Sequence, residues 1–253
     1  MCGIRGTPCL PASLKGNGEG FGTEQKRQAE AGLKGLLQAS SGRQFIRKGE
    51  YLFREGEPAD ALYYVDGGKI RVGKVTPDGR ELTFRLCGAG DFIGEVMPYC
   101  SPSAYTVEAK ATDDTRVAVI PKEPLEELLY LNPDLAVAYM RWTGVLHQRT
   151  QSKFRDLILH GKKGALYSTL IRMSNSYGIP QSDGSVLLNI ELTNQELANY
   201  CGMAREVANR MLAALKKDEK IAMEDGKIVL LDVSYLRREI HCENCPSEIC
   251  NIE

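Results

Sequence analysis

The chain has 253 residues and a formal net charge of -1, and 43% of its residues are hydrophobic and 26% charged. This composition is typical of a globular protein and excludes a uniformly basic nucleic-acid coat protein, although a DNA-binding protein needs only a local basic patch. No run reaches the roughly 18 apolar residues of a membrane span, and no apolar signal segment begins the chain. We therefore expect a cytoplasmic protein without membrane contact. Its eight cysteines then favour metal or redox chemistry over disulfides.

The first half of the chain predicts a flexible tail, a short helix and then a β-barrel. Residues 1–23 are polar and rich in glycine, and residues 24–39 have a composition that suits a helix. Between 43 and 120, short β-rich segments end at turn sequences such as Asp66-Gly67-Gly68 and Thr76-Pro77-Asp78-Gly79. Strands at this spacing are typical of an all-β barrel or sandwich.

A long helix is predicted from Asp134 to His160, because this stretch has no proline and a single glycine. Apolar residues recur along it at the 4-3-4 spacing of a helix that packs on another helix. We expect this stripe to form a homodimer interface, with a core helix of a single domain as the alternative. The predicted interface residues are Leu135, Tyr139, Trp142, Leu146 and Arg149, and the same rhythm continues to Lys153 and Asp156.

Residues 192–215 predict a helix-turn-helix unit. Thr193 and Glu196 have the spacing of a capping box, Gly202 permits a tight turn, and a second helix follows from Ala204. The outer face of that helix carries side chains that suit contact with base edges and phosphates in the major groove of double-stranded DNA. The predicted DNA-binding residues are Thr193, Arg205, Glu206, Asn209 and Arg210. Residues 221–231 then predict a hairpin on an Asp-Gly turn, as in a winged helix.

The sequences Thr193-Asn194-Gln195-Glu196-Leu197-Ala198 and Arg205-Glu206-x-x-x-Arg210 resemble the helix-turn-helix of the CRP/FNR family of transcription regulators. The segment Gly90-Asp91-Phe92-Ile93-Gly94-Glu95 resembles the barrel signature of that family. The resemblance covers about residues 43–235. It implies an α+β protein with a cyclic-nucleotide-binding-like β-barrel, a long dimerisation helix and a C-terminal winged helix-turn-helix. We assign the tail to 1–23, the barrel to 24–125, the dimerisation helix to 126–160, the DNA-binding domain to 161–238 and a cysteine-rich tail to 239–253.

The resemblance also implies a regulator that acts as a homodimer with RNA polymerase as a partner, and not an enzyme. Members that bind cyclic nucleotides hold the phosphate with an arginine and a serine after the Gly-Glu pair, whereas Pro102-Ser103-Ala104-Tyr105 here has no arginine. We therefore expect no binding of cyclic AMP, because a buried phosphate needs a cation. Met1-Cys2-Gly3-Ile4 resembles the start of N-terminal-nucleophile amidotransferases, but no large domain surrounds that cysteine before the barrel.

Cys242, Cys245 and Cys250 lie within nine residues near the end of the chain. Neighbouring thiolates repel one another and favour a cation, and thiolate-rich sites suit zinc or an iron–sulfur cluster. The three thiols supply three of four ligands, so that the fourth must come from elsewhere. Cys87, Cys100 and Cys201 are isolated in the sequence, and we expect them to be structural.

Within the family, the Bacillus-type Fnr branch looks most similar, since its cysteines also lie at the C-terminus. The resemblance implies a [4Fe–4S] cluster held by the three tail cysteines and by an aspartate near the end of the dimerisation helix, here Asp156. The alternative for Asp156 is an ion pair with Lys153 or Arg155 on a solvated face. It further implies an oxygen-responsive regulator, such as an activator, that binds palindromic TGTGA-type sites and controls genes of anaerobic metabolism. The alternative is a regulator gated by a small effector, with a tail held by zinc.

Overall fold

The structure is a computed structural model that describes residues 32–94, 96–100 and 104–252. The predictions for the tail 1–23, for most of the helix 24–39 and for Cys2 and Cys9 lie outside these residues, as do Pro102 and Ser103. The described part begins with a short helical stretch that includes a 3-10 helix over Lys34–Ala39. No helix in the described residues is long and apolar enough to cross a membrane.

Two four-stranded antiparallel sheets form the predicted barrel. Their strand orders are β1-β8-β3-β6 and β2-β7-β4-β5, and the side chains between them form one buried apolar cluster. The strands are β1 Gly42–Ile46, β2 Tyr51–Phe53, β3 Ala61–Gly67, β4 Ile70–Val75, β5 Glu81–Cys87, β6 Phe92–Ile93, β7 Glu108–Ala111 and β8 Thr115–Pro121. The fold prediction for this half of the chain is confirmed.

Strand β5 is covered on both faces. Its alternation of apolar and polar residues is typical of a strand with one exposed face, yet Thr83 and Arg85 are 4% and 9% exposed. Lys153 of the long helix donates to the carbonyl of Phe84, and the C-terminal segment also reaches this strand. Strand β5 therefore lacks the exposed face that its alternation predicts, because elements distant in sequence pack on this second face.

The long helix follows a separate short helix. Helix α1 spans Lys122–Leu131 and helix α2 spans Pro133–Tyr177, with Asn132 between them in a non-helical conformation. The predicted dimerisation range 126–160 therefore begins too early, since its first residues belong to α1. The break is caused by Pro133, which disfavours a helical conformation in the residue before it and occupies the first turn of α2.

Helix α2 is interrupted at Gly161, which has φ 56° and ψ -145°. This kink lies within Gly161–Gly164, where the sequence predicts the hinge to the DNA-binding domain. Past the kink the backbone folds back so closely that a Cβ on Gly164 would lie 2.2 Å from the carbonyl oxygen of Asp156. Only glycine fits at position 164 without a shift of the chain.

Apolar contacts attach the first segment of α2 to the barrel. Tyr139 is 4% exposed, and its ring lies 5.5 Å from that of Trp142, which in turn meets Phe92 of β6 at 6.1 Å. These rings belong to a buried cluster that also contains Leu36 of the 3-10 helix and Leu125 of α1. The barrel and the first segment of α2 therefore share a core.

The C-terminal domain begins with the second segment of α2 and contains a four-stranded sheet in the order β11-β12-β10-β9. Apolar residues from its helices, its strands and the cysteine tail form a single core. Its elements are β9 Gly178–Pro180, β10 Val186–Leu188, α3 Asn194–Tyr200, α4 Arg205–Lys217, β11 Ile221–Glu224, β12 Lys227–Leu230 and α5 Val233–Glu239. The predicted winged helix-turn-helix is confirmed.

Candidate DNA-binding surface and cysteine site

The capping box predicted for α3 is present. The hydroxyl oxygen of Thr193 accepts from the N–H of Glu196 at 3.2 Å, and Glu196 Oε2 accepts from the N–H of Thr193 at 2.7 Å. Two N–H groups that the first turn of a helix leaves unpaired are thereby satisfied. Thr193, the N-cap of α3, is exposed, so its side chain lies at the surface of the domain.

The second helix of the motif presents its polar side chains to solvent. Gly202 has φ 59° in the turn, and α4 begins three residues later at Arg205. Arg205, Glu206 and Arg210 are exposed, while the opposite face of α4 packs into the domain core. Asn209 differs from the prediction because its side chain is half-buried, with Oδ1 inaccessible and unpartnered among the described residues.

The hairpin beyond α4 forms the predicted wing. Strands β11 and β12 pair in register from Ile221 opposite Leu230 to Glu224 opposite Lys227. The two residues of the turn, Asp225 and Gly226, have φ 48° and 78°, as a tight two-residue hairpin requires. The wing and α4 therefore belong to one preformed surface.

The stripe predicted as the dimer interface instead packs against its own chain. Tyr139 Oη donates to the carbonyl of Val96 at 2.6 Å, Leu146 is 8% exposed, and Arg149 Nε donates to the carbonyl of Glu248 at 2.8 Å. Leu135 and Trp142 pack, partly buried, in the cluster that joins α2 to the barrel. The periodicity was read correctly as a packing face, but the partner of this face is the barrel and the tail of the same chain.

A second stripe lies half a turn away on the first segment of α2 and is exposed. Val137, Met140, Phe154 and Ile158 are 49%, 62%, 64% and 63% exposed. Gly144, His147 and Gln151 continue this stripe at alternating steps of three and four residues, and all three are exposed. Such spacing forms one straight seam along the solvent-facing side of the helix.

Two arginines of the long helix bind the backbone of the cysteine tail. Arg149 in the first segment binds the carbonyl of Glu248, and Arg172 in the second segment donates from Nη1 to the carbonyl of Ile249 at 3.2 Å. Because the two arginines lie on opposite sides of the kink at Gly161, the tail connects both segments of α2.

The end of the tail contacts the DNA-binding domain and the barrel. Asn175 Nδ2 donates to the carbonyl of Cys250 at 2.6 Å, and the N–H of Ile252 donates to Ser176 Oγ at 3.1 Å. The carbonyl of Ile252 accepts from the N–H of Leu86 in β5 at 3.4 Å. Residues 250–252 are buried, so the tail is a packed element without regular secondary structure.

The four predicted metal ligands lie in one neighbourhood. Burial raises the pKa of the Cys250 thiol above its usual value, the positive charge of Arg172 opposes this rise, and Cys242, Cys245 and Asp156 add to it. Cys242 and Cys245 are half-buried against the domain core, and Asp156 is 3% exposed. Three thiols and a carboxylate are a donor set that suits zinc or iron, but no group of three or more such donors in the described residues is arranged around a common metal position.

The carboxylate of Asp156 is held by two arginines, of which the sequence suggests Arg155 as a neighbouring partner but does not suggest Arg172. Arg172 Nη2 lies 2.8 Å from Oδ2, and Arg155 Nη2 lies 2.7 Å from Oδ1. Arg172 is a single charge within the otherwise uncharged run Ala165–Met173, a sequence signal for a buried ion pair. Arg172 is 2% exposed, and its side chain is among the largest fully buried ones in the described residues.

The remaining described cysteines, Cys87, Cys100 and Cys201, lie outside the tail in sequence, although Cys201 packs in the same apolar core as Cys250. Cys87 and Cys201 are buried, and burial raises the pKa of the Cys201 thiol to about 12, which makes it a poor nucleophile and ligand at neutral pH. Cys100 is exposed, so its position does not support the structural role that the sequence predicts for it.

Comparisons with known proteins agree with this architecture. Residues 43–131 match the cyclic nucleotide-binding domain, and residues 165–239 match the Crp-like helix-turn-helix domain. The chain is 50% identical over 219 residues to the anaerobic regulatory protein of Bacillus subtilis strain 168, which covers 86% of this chain and 92% of the relative. It is 28% identical over 191 residues to the CRP-like cAMP-activated global transcriptional regulator of Mycobacterium tuberculosis strain H37Rv, with 76% of this chain and 84% of the relative covered.

Solved structures support the same assignment. The c-di-GMP-responsive global regulator CLP of Xanthomonas campestris superposes with a TM-score of 0.66 at 25% identity, over 79% of this chain and 98% of that one. A CooA variant from Carboxydothermus hydrogenoformans superposes with a TM-score of 0.69 at 18% identity, over 81% and 90% of the two chains, and shows the shared fold. With its barrel, long helix, winged helix-turn-helix and half-identical relative, the chain belongs to the CRP/FNR family of transcription regulators.

Proposed function

We propose that this regulator senses oxygen through a [4Fe–4S] cluster held by its C-terminal tail, and that the loaded dimer binds palindromic DNA to control anaerobic metabolism in the cytoplasm. The observation that carries the proposal is the position of the cysteine tail, which contacts both segments of the long helix, the DNA-binding domain and strand β5. The half-identical relative, called an anaerobic regulatory protein, supports the same function.

The exposed side chains of α4 support recognition of TGTGA-type half-sites. Arg205 and Arg210 carry guanidinium groups of the kind that bind guanine O6 and N7, and Glu206 carries an acceptor for cytosine N4. Thr193 and Asn209 are proposed to contact the DNA backbone or base edges beside them. Two such helices in a two-fold dimer read an inverted repeat with its halves about one helical turn apart.

The exposed stripe of α2 supports the dimer. Val137 and Met140 at one end of the seam and Phe154 and Ile158 at the other leave apolar side chains in water, and burial of these side chains against a second copy removes that unfavourable contact. Two copies joined along this seam would set their DNA-binding domains on either side of the two-fold axis. RNA polymerase stays a predicted partner of the complex with DNA.

Cys242, Cys245, Cys250 and Asp156 are the proposed ligands. When bound, the cluster supplies an oxygen-labile link between the tail and the long helix. Asp156 lies five residues before the kink at Gly161, so a ligand at this position restrains the angle between the two segments of α2. A carboxylate is also a weaker ligand for iron than a thiolate, which leaves this corner of the site open to attack.

The test is purification of the full-length protein without oxygen. The protein should be straw-brown, should bind a TGTGA palindrome tightly, and should lose both colour and affinity in air. Replacing Cys242, Cys245 and Cys250 together by serine should abolish the colour, while Cys100→Ser, outside the tail, should keep it. Asp156→Cys should retain a cluster with altered sensitivity to oxygen. A triple variant that retains its iron would place the cluster elsewhere.

A cavity favours a second candidate, a regulator gated by a small effector with a tail held by zinc. It has a volume of about 660 Å³ and lies between β4, β5 and the long helix, with Thr83, Arg85, Thr150 and Lys153 in its wall. In this case the anaerobic protein is colourless and contains zinc. Cyclic AMP is not the expected effector, and calorimetry that detects micromolar binding of cyclic AMP would contradict that expectation.

A further inference from the structure

Both oxygens of the Asp156 carboxylate are bound by arginines. Oδ2 accepts from Arg172 Nη2 at 2.8 Å, and Oδ1 accepts from Arg155 Nη2 at 2.7 Å and Nε at 3.1 Å. The carboxylate is 4% exposed, so water offers little replacement for these contacts. Oδ1 already accepts two hydrogen bonds, so a metal that binds Asp156 through Oδ1 must displace the Arg155 guanidinium.

The two arginines differ in how firmly they are held. Arg172 is 2% exposed and donates in addition to Ser152 Oγ at 2.9 Å and to the carbonyl of Ile249 at 3.2 Å. Arg155 has a side chain that is 26% exposed, and its other contacts are to the tail itself. Because a buried guanidinium that lost its carboxylate would be left uncompensated, Arg155 is the partner that gives way.

The tail contacts of Arg155 are to residues on and beside the proposed ligands. Its Nη1 pairs with Glu243, and Cys245 lies near enough to the guanidinium to help raise the pKa of Arg155, after burial, which lowers it, and Asp156, which raises it. The Arg155 guanidinium thus lies beside two predicted ligands, the Asp156 carboxylate and the Cys245 thiol. It also pairs with the Glu243 carboxylate. A cation already compensates the negative charge that makes this set attractive to a metal.

We propose that Arg155 competes with the metal for Asp156 and Cys245 and leaves them when the metal binds, while Arg172 acts as a positioning residue that keeps Asp156 directed at the tail. This inference rests on the proposed function, because it assumes that these donors bind a metal. Asp156 then coordinates through Oδ1, the oxygen that Arg155 releases, and Oδ2 stays on Arg172. Arg155 remains paired with Glu243 in solvent, so that no charge is left buried.

The test measures metal affinity directly, with Co²⁺ as the probe in anaerobic, metal-free, full-length protein. Thiolate-to-cobalt absorption reports occupancy without any assay of DNA binding. Arg155→Ala should bind Co²⁺ about tenfold more tightly than the wild type, because about 1.4 kcal/mol of competition is removed. Arg155→Lys keeps the charge and should stay near the wild-type affinity. Lys163→Ala, which removes an ion pair with Glu239 beyond the kink, is the matched control and should change nothing.

Thermal melting separates competition from a merely structural contact. Arg155→Ala should lower the melting temperature of the metal-free protein, because Asp156 and Glu243 lose a partner. It should lower the melting temperature of the cobalt-loaded protein much less, because Arg155 has already left Asp156 there and only its solvent-exposed pair with Glu243 remains to be lost. Equal losses in both forms, or unchanged or weaker cobalt binding by Arg155→Ala, would overturn the inference.

Reconstitution of the wild type with iron and sulfide tests the proposed function separately. A cluster that forms in the wild type, with a tenfold gain in cobalt affinity for Arg155→Ala, supports both. Cobalt binding with that gain but without cluster formation overturns the cluster and supports the competition. No cobalt binding by any variant overturns both.

Discussion

The helix-turn-helix and the cysteine tail carry the two proposed activities, and they obtain their geometry in opposite ways. The helix-turn-helix is built from contacts three to five residues apart, such as the cap between Thr193 and Glu196. The tail has no helix or strand after α5, and its hydrogen bonds from Arg149, Arg172 and Asn175 span 99, 77 and 75 residues. The cap and the turn of the helix-turn-helix are therefore specified by local contacts. The cysteine site exists only when the rest of the chain is folded around the tail.

Because of this difference, substitutions in the two regions should affect different parts of the molecule. A change in the tail is transmitted to every element that the tail contacts, because these elements share its hydrogen bonds. A change at the exposed recognition side chains of α4 stays within the DNA-binding domain, because these side chains point to solvent, whereas α3 also contacts β5 through the hydrogen bond from Asn199 to Glu81. The variants below are ordered by the size of the expected effect, and each either strengthens or contradicts this contrast.

Replacing Arg172 by methionine should have the largest effect. It leaves Asp156 buried without its fully buried partner, and loss of one member of such a pair lowers the free energy of unfolding by about 3–5 kcal/mol. Urea unfolding measures the loss. Adding Asp156→Leu to the same chain removes the stranded charge and should restore most of the stability. If the double variant is no more stable than Arg172→Met, the buried ion pair is not the cause.

Arg205→Ala should weaken base discrimination without affecting the tail. Loss of one bidentate contact to guanine costs about 1–3 kcal/mol of specificity, or roughly 5- to 150-fold in a competition between matched and altered half-sites. The stability and metal content of the protein should not change. Lys217→Ala, at the far end of α4, is the charge-matched control and should leave the preference for the guanine intact. An unchanged preference in Arg205→Ala would remove Arg205 from the recognition set.

Thr193→Ala should act on the start of α3 alone. Loss of an N-cap side chain typically costs about 1 kcal/mol, and here it also removes half of the capping box. Thr193→Ser keeps the hydroxyl and should behave like the wild type. Hydrogen exchange should increase in α3 and remain unchanged in residues 241–252. Faster exchange in the tail would show that the two regions are coupled more closely than their contacts indicate.

The pH dependence of Lys153 gives the smallest expected effect, since this side chain is half-buried and partly screened by water. Burial and then the charges of Arg172, Arg85 and Arg149 lower its pKa to about 7. Between pH 7 and the usual pKa of lysine, the unfolded chain therefore binds more protons than the folded chain, and stability rises with pH. Relative to Lys153→Gln, the wild type should gain stability from pH 7 to pH 9. A constant difference across this range would show that Lys153 is charged when folded.

The sequence predicted those parts of the molecule that depend on neighbouring residues. The capping box, the positive φ of Gly202 and the Asp225-Gly226 turn follow from local chemistry, and so does the kink at Gly161. The stripe from Leu135 to Asp156 was identified by its period, but a period cannot distinguish the partner helix from the barrel of the same chain. The charged residues at the end of the stripe indicate that this face packs against a polar partner, and that partner is the tail.

The arrangement of two arginines around a buried Asp156 could not be inferred, because the sequence offers Arg155 only as a neighbour on a solvated face and does not place Arg172 near Asp156. Arg155 is the neighbour of Asp156 in the chain, and adjacent residues of a straight helix do not face each other. Arg172 and Asp156 are sixteen residues apart in the sequence. They meet only because the chain folds back at Gly161. The site therefore depends on one backbone break whose position the sequence indicates but whose angle it does not.

Gly164 offers a way to adjust this site without touching any donor atom. Its backbone approaches the carbonyl of Asp156 so closely that an added methyl group must push the two segments of the long helix apart. Gly164→Ala would therefore shift the main chain that carries Asp156 while all cysteines, arginines and recognition residues stay chemically intact. A series of residues of increasing size at position 164 would therefore allow the response threshold of such a regulator to be adjusted in small steps.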